Sequence, residues 1–245
     1  MSVVIGITAG VAGEGRGAEV RVRAGYGEAV RAVGGVPMVV SGGGVGGGGG
    51  VGGGVGGRVD GLVLGGGDDP LMEAFGVATD GRVRAVSAER QAFDLALLGA
   101  AEAAGKPVLG VCLGMQYMCL RAGGRLDQWL LDSLGEGAYE HVPRDGAGDV
   151  EHGLEVVASG SLLGALGGGV VNSWHRQGVV EAGGLRVIAR SGDGLVEAVD
   201  DPGRGFWVGV QWHLERMDWG TGEGARFGRG LFEGLVVAAR GRLGV

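Results

Sequence analysis

The chain has 245 residues, 21 basic and 28 acidic side chains and a formal net charge of −7. With no basic run and no apolar stretch of about twenty residues, neither a nucleic-acid surface nor a membrane span is expected. Met1-Ser2-Val3-Val4-Ile5 lacks the charged region and cleavage site of a secretion signal, so a cytoplasmic location is expected.

In chain order, an apolar run predicts a strand near 3–8. Residues 18–33 follow with Val20, Ala24, Ala29, Val30 and Val33 at helical spacing, and a second strand is expected near 36–40. Between Gly42 and Gly57 there are thirteen glycines and otherwise only Val45, Val51 and Val55. At roughly 1 kcal/mol per glycine relative to alanine, a helix there would be weakened by on the order of ten kcal/mol, so a loop or frayed segment is expected. A strand near 59–64 runs into Gly65-Gly66-Gly67-Asp68-Asp69-Pro70. Ser87 is placed to cap a helix over 87–104 that turns Phe93, Leu97, Leu98 and Ala101 to one face. A strand near 107–111, a helix over 113–121 and an irregular segment over 141–157 come next. Strands near 170–173, 195–199 and 206–212 precede a closing helix over 225–240, with Phe227, Leu231, Phe232, Leu235 and Val236 toward the core. Strands alternating with helices imply an α/β fold in three layers, with a mostly parallel central sheet and helices on both faces. In such sheets active sites gather beyond the carboxyl ends of the strands. The length suits one domain over 1–245, with no room for an attached synthetase domain of ordinary size.

Two segments carry chemistry. Val108 to Gln116 reads as a buried strand turning sharply into a helix, with Cys112 on the turn and Gly110 and Gly114 two positions to either side. Cys112 then sits at a helix amino end, where unpaired N–H groups favour negative charge. In the second segment, Phe206 to Glu215, an apolar strand ends in His213 and Glu215. Residues two apart on a strand share a face, so Glu215 reaches the His213 ring and leaves its other nitrogen for a thiol from a neighbouring strand. Nucleophile, base and orienter are thereby supplied. Cys119, two turns further along the helix, is expected to pack, and four scattered histidines with two cysteines suggest no metal set. His141 and His152 are assigned no chemistry.

These residues resemble the class I glutamine amidotransferase-like hydrolases, and within them the gamma-glutamyl-gamma-aminobutyrate hydrolase group of the C26 peptidase family. The resemblance extends over nearly the whole chain, through Ile5-Gly6-Ile7-Thr8, Tyr26-Gly27-Glu28, the Gly65-Gly66-Gly67 loop, Gly123-Gly124-Arg125-Leu126-Asp127-Gln128, Gly160-Ser161-Leu162-Leu163 and Asn172-Ser173-Trp174-His175-Arg176-Gln177. It departs at Leu214, where the family usually has proline, at Leu113, where this group often has arginine, and at Trp129, where aspartate is usual. The proline-to-leucine change is expected to loosen the backbone between His213 and Glu215.

The resemblance implies a flavodoxin-like sheet with a nucleophile elbow and hydrolysis of a γ-glutamyl amide through a thioester on Cys112, with no cofactor or metal. Backbone N–H groups of Leu113 and of Gly66 or Gly67 would hold the oxyanion. Gln116, Asn172, Ser173, His175 and Gln177 would bind substrate, a small γ-glutamyl conjugate such as γ-glutamyl-γ-aminobutyrate, and a homodimer is a further expectation. Leu113 keeps open a glutaminase subunit feeding ammonia to a synthase, and Leu214 a catalytically silent binding protein of the same fold.

Overall fold

The computed structural model describes residues 2–13, 17–42, 56–144, 146 and 148–244. The glycine-rich stretch expected to be a loop falls, over 43–55, outside the described residues. Strand β1 (Val4–Thr8) opens the chain, followed by a hairpin of β2 (Gly10–Ala12) and β3 (Glu19–Arg21). Then come α1 (Ala24–Ala32), β4 (Val36–Val40), β5 (Gly61–Leu64), α2 (Ala88–Ala103), β6 (Val108–Val111), α3 (Leu113–Arg121), β7 (Arg125–Asp127) and α4 (Leu130–Leu134). The second half holds β8 (Val150–Val156), α5 (Leu162–Leu166), β9 (Gly169–Ser173), β10 (Gly178–Glu181), β11 (Arg186–Ser191), β12 (Val196–Asp200), β13 (Trp207–Val210) and α6 (Gly230–Leu243).

Among the described residues eleven strands form one mixed sheet. Its core is parallel, in the order β4-β1-β5-β6-β13. Beyond β13 the sheet turns antiparallel through β12, β11, β8 and β9, with β10 and β7 joined alongside. β5 and β6 are buried along their whole length, as expected of parallel strands covered on both faces. One apolar cluster joins α1 and α6 to the sheet through Ile5, Val30, Val63, Leu109, Phe232 and Leu235. A second, with Leu64, Leu97, Leu98, Leu113 and Tyr117, is contributed largely by α2 and α3. The three-layer α/β reading therefore holds.

Two expectations need correction. The helix over 18–33 begins only at Ala24, because 19–21 pair as a strand with β2; Val20 is 49 % exposed and Ala24 is also exposed. The less regular segment over 141–157, which the resemblance gives as short strands and loops, holds one strand of seven residues, β8, whose exposure alternates and turns His152 and Leu154 inward. Other elements match closely: Ser87 caps α2 by accepting the Arg90 N–H, and α3 spans Leu113–Arg121. No helix among the described residues is long and apolar enough to cross a membrane.

Candidate active site

The site is built at the carboxyl ends of β1, β5, β6 and β13. Cys112 leaves β6 with φ 51° and ψ −106°, the one non-glycine residue with positive φ among the described residues. The cost of that conformation is met by tight packing around the turn. Gly114 lies against the Leu64 carbonyl so closely that a Cβ would collide with it, which is why the residue two beyond the cysteine is glycine. Both cysteines are buried and free. Burial raises the Cys119 thiol to about 12, so it is an inert packing group as expected.

The other two groups were expected on one strand, but β13 ends at Val210 and they come from the turn that follows it, His213 just ahead of a 3-10 turn and Glu215 within it. His213 Nδ1 donates to Glu215 Oε1 at 2.9 Å, and the ring lies within electrostatic reach of Cys112. All three side chains are buried. Burial opposes the charged ring, but the charge of Cys112 and then the Glu215 carboxylate outweigh it and raise His213 to about 10. Burial likewise opposes the Glu215 carboxylate, yet the His213 hydrogen bond and charge hold it below its ordinary value. Leu214 does not loosen this segment: its side chain is fully buried in the core, within a 3-10 turn over Leu214–Arg216, and its carbonyl accepts the Trp219 Nε1–H at 2.9 Å.

The glycine loop after β5 closes over the ring. Thr8 Oγ1, at the end of β1, accepts the Gly65 N–H at 3.0 Å, and a Cβ on Gly66 would lie 3.1 Å from His213 Cε1. The Gly66 N–H donates to Tyr26 Oη at 2.9 Å, which removes it from the expected oxyanion pair. Burial, and after it the charge of Glu215, raise the Tyr26 phenol well above the ordinary range. Gly67 remains, packed so that a Cβ would stand 2.9 Å from Leu113 Cδ2. Leu113, as the first residue of α3, carries a helix-end N–H with no intrahelical partner.

A cavity of about 590 Å³ opens above His213 and Glu215, lined among others by Tyr26, Gly66, Gly67, Trp174, Arg23 and Arg84. None of the five residues expected to bind substrate is on its wall. Asn172 is committed to the backbone of His213, donating through Nδ2 to the carbonyl and accepting the N–H at Oδ1, both at 3.1 Å. Ser173 is buried and donates to the His141 carbonyl. Gln116 and Gln177 lie beneath the cysteine: Gln116 Nε2 reaches Gln211 Oε1 at 3.3 Å, and Gln211 Nε2 reaches Cys112 Sγ at 3.4 Å. His175 is turned inward, and burial lowers it to about 4 despite its hydrogen bond to the Gln177 carbonyl, so its ring is neutral near pH 7.

The expectation of scattered histidines also fails. His141, His152 and His175 meet around Glu197 in a buried cluster. The alternation of Val150-Glu151-His152-Gly153-Leu154-Glu155-Val156 was the available signal, since it places His152 on the inner face of a strand. The arginines at the cavity had no comparable signal, because exposed arginine is common everywhere on a surface.

The sequence model of Peptidase C26 matches residues 3–215. The chain belongs to this family. Members and relatives bear out the glutamine amidotransferase-like character. It is 34 % identical over 174 residues to YvdE of Lactococcus lactis, a protein described as glutamine amidotransferase-like, over 70 % of this chain and 71 % of that one. It is 36 % identical over 159 residues to the gamma-glutamyl-gamma-aminobutyrate hydrolase PuuD of Escherichia coli K12, over 62 % of this chain and 61 % of PuuD. The chain thus spans about three fifths of that relative's length. The glutaminase domain of the Trypanosoma brucei CTPS, solved with acivicin bound, superposes with a TM-score of 0.60 over 98 % of this chain and 94 % of that domain, at 18 % identity, a likeness of fold.

Proposed function

We propose that this C26 protein hydrolyses the γ-glutamyl amide bond of small γ-glutamyl conjugates, with γ-glutamyl-γ-aminobutyrate as the type of substrate. The observation that carries this reading is Cys112 on a strained turn, with the hydrogen-bonded His213–Glu215 pair within electrostatic reach of its sulfur. His213 takes the Cys112 proton, and the sulfur attacks the γ-carbonyl carbon. The tetrahedral oxygen is held by the N–H groups of Leu113 and Gly67, donors fixed before reaction. As the C–N bond breaks, His213 returns the proton to the leaving amine, and a γ-glutamyl thioester remains. Water, deprotonated by His213, attacks the thioester; glutamate leaves and the thiol is restored. Glu215 keeps the ring in the required tautomer throughout.

The cavity supports an anionic substrate. Arg23 and Arg84 are 60 % and 80 % exposed at the side chain on its wall, ion-paired with Glu215 at 3.8 Å and with Asp68 at 3.2 Å, and the carboxylates that a γ-glutamyl conjugate of an amino acid carries at either end would compete for them. The test is a hydrolysis screen over γ-glutamyl amines, γ-glutamyl dipeptides and glutamine, run beside Cys112→Ala. Release of glutamate from γ-glutamyl amines by the wild type alone, with acivicin adding one covalent label at Cys112, is the expected result. Equal turnover by Cys112→Ala overturns the mechanism, and turnover of glutamine alone overturns the substrate class.

A further inference from the structure

We propose that His141, His152, His175 and Glu197 form a buried structural site for a divalent transition-metal ion, with zinc as the fitting occupant. The site is separate from the cysteine chemistry and does not depend on it. Its four residues come from four distant segments: the turn ahead of β8, β8 itself, the loop after β9, and β12. Glu197 Oε1 stands 3.6 Å from each of His141 Nδ1, His152 Nε2 and His175 Nε2, and all the ligating atoms lie within 4.8 Å of one another. Zinc bonds of about 2.0–2.1 Å in a tetrahedron place ligand atoms roughly 3.3 Å apart, so the carboxylate edges need close by only a few tenths of an ångström.

Hydrogen bonding decides what the site is for. His141 Nδ1, His152 Nε2, His175 Nε2 and both Glu197 oxygens are buried and have no hydrogen-bond partner among the described residues. Isolated unsatisfied polar atoms occur in folded proteins, but four drawn together within 4.8 Å call for an occupant. The outward nitrogen of each ring is meanwhile engaged. His141 Nε2 meets Asp193 Oδ2 at 2.7 Å, His152 Nδ1 meets the Gly153 carbonyl at 3.1 Å, and His175 Nδ1 meets the Gln177 carbonyl at 2.8 Å. Carbonyls and carboxylates accept, so each outward nitrogen carries a hydrogen and the inward nitrogen is the one left to coordinate. Three inward ring nitrogens and a carboxylate, buried together without hydrogen bonds, offer donors that a cation between them would satisfy. A single proton does not serve, because at 3.6 Å Glu197 hydrogen-bonds to none of the rings. Carbonyl and carboxylate partners on the outer nitrogens are also the usual supports of metal-bound histidines.

Three imidazoles and one carboxylate, all buried, offer a closed four-coordinate set with borderline donors, which favours zinc over calcium or magnesium and a structural role over a catalytic one. The ion would tie the loop after β9 to β8 and β12. Asn172, three residues before His175, grips the backbone of His213, so the ion would stiffen the support of the base from below.

The test uses the full chain, purified without a polyhistidine tag, as wild type and in a Cys112→Ser background that removes the active-site thiol as a ligand. After incubation with zinc and gel filtration, elemental analysis is expected to give about one ion per chain in both, as for a single four-ligand site. Cobalt substitution should give the visible absorption of tetrahedral coordination without a thiolate band, and readdition of zinc to chelated protein should raise Tm. His152→Gln and Glu197→Gln should lose the ion and the cobalt spectrum. Should either variant fail to fold, the wild-type zinc content, cobalt spectrum and Tm response decide alone. A stoichiometry near zero, an unchanged Tm on zinc readdition, or full metal content in folded His152→Gln overturns the proposal.

Discussion

The side-chain amide of Asn172 pairs with the main chain of His213 as a neighbouring strand would, donating to its carbonyl and accepting its N–H at 3.1 Å each. The same Nδ2 also donates to Asp149 Oδ2 at 3.2 Å, so the amide is held from both sides. Asn172 is therefore a positioning residue for the base. Asn172→Asp keeps the size and one acceptor but cannot donate to the His213 carbonyl. Displacing a catalytic group by about 1 Å costs on the order of 100-fold in rate, and a kcat lower by roughly that factor with KM nearly unchanged is expected for this variant. A rise in KM at constant kcat would instead make Asn172 a substrate ligand.

The pH dependence of His213 is set first by Cys112 and then by its contact with Glu215. A carboxylate held below its ordinary 4.5 contributes stability above that value, which is lost as pH falls through the folded value. A histidine raised from 6.5 to about 10 contributes stability that is complete below 6.5 and is lost as pH rises through about 10. The pair is therefore most stabilising between pH 4.5 and 6.5. Glu215→Gln should show its largest Tm deficit against wild type in that window, narrowing as pH climbs toward 10. Its kcat should fall by about 10²- to 10⁴-fold, because the ring loses the partner that sets its tautomer. A Tm deficit that widens from pH 7 to pH 10 would contradict the assignment.

The parallel half of the fold was legible because continuous apolar runs such as Val108-Leu109-Gly110-Val111 have few other solutions, and the Cys112 turn announced itself through Gly110 and Gly114. The antiparallel half was not. β7 and β10 are three and four residues long and carry Arg125, Asp127 and Glu181, too short and too polar for a periodicity to register. Val20 misled because a three-residue hairpin strand beside a helix extends the apparent helical spacing. At the site, the contact between His213 and Glu215 was legible, but not its cause: the expected strand ends at Val210, and a 3-10 turn over Leu214–Arg216 brings the two side chains together. The roles of Asn172 and His175 were not legible, since a polar side chain at a strand end serves backbone pairing or ligand binding equally well until its partners are known. Glu197 offered a missed cue: a carboxylate in the middle of Val196-Glu197-Ala198-Val199-Asp200, a strand buried throughout, requires a partner.

Tyr26 Oη ties the glycine loop to α1, accepting the Gly66 N–H at 2.9 Å. Tyr26→Phe keeps the ring in the core and leaves the Gly66 N–H without that acceptor. A loss of about 1–3 kcal/mol in urea unfolding is expected, the usual consequence of stranding a buried polar group. A change below about 0.5 kcal/mol, less than a typical net hydrogen bond, would mean that water replaces the hydroxyl fully.

Gly114 and Gly241 are both helical glycines, and the same substitution should act on them in opposite directions. At Gly241, near the end of α6 and exposed, an added Cβ meets nothing within 4 Å. Alanine there removes the backbone entropy cost of glycine and should stabilise the fold by up to about 1 kcal/mol. At Gly114, the added carbon runs into the Leu64 carbonyl, part of β5 and unable to yield as a side-chain tip would. α3 would have to lift from the sheet, carrying the Leu113 N–H and the Cys112 turn with it. Gly114→Ala should therefore lose about 3 kcal/mol, at the upper end of overpacking costs, together with most of the reactivity of Cys112 toward acivicin. Equal stability of the two alanine variants in urea, with labelling retained at Cys112, would show that close contact between α3 and β5 is not what holds the nucleophile in place.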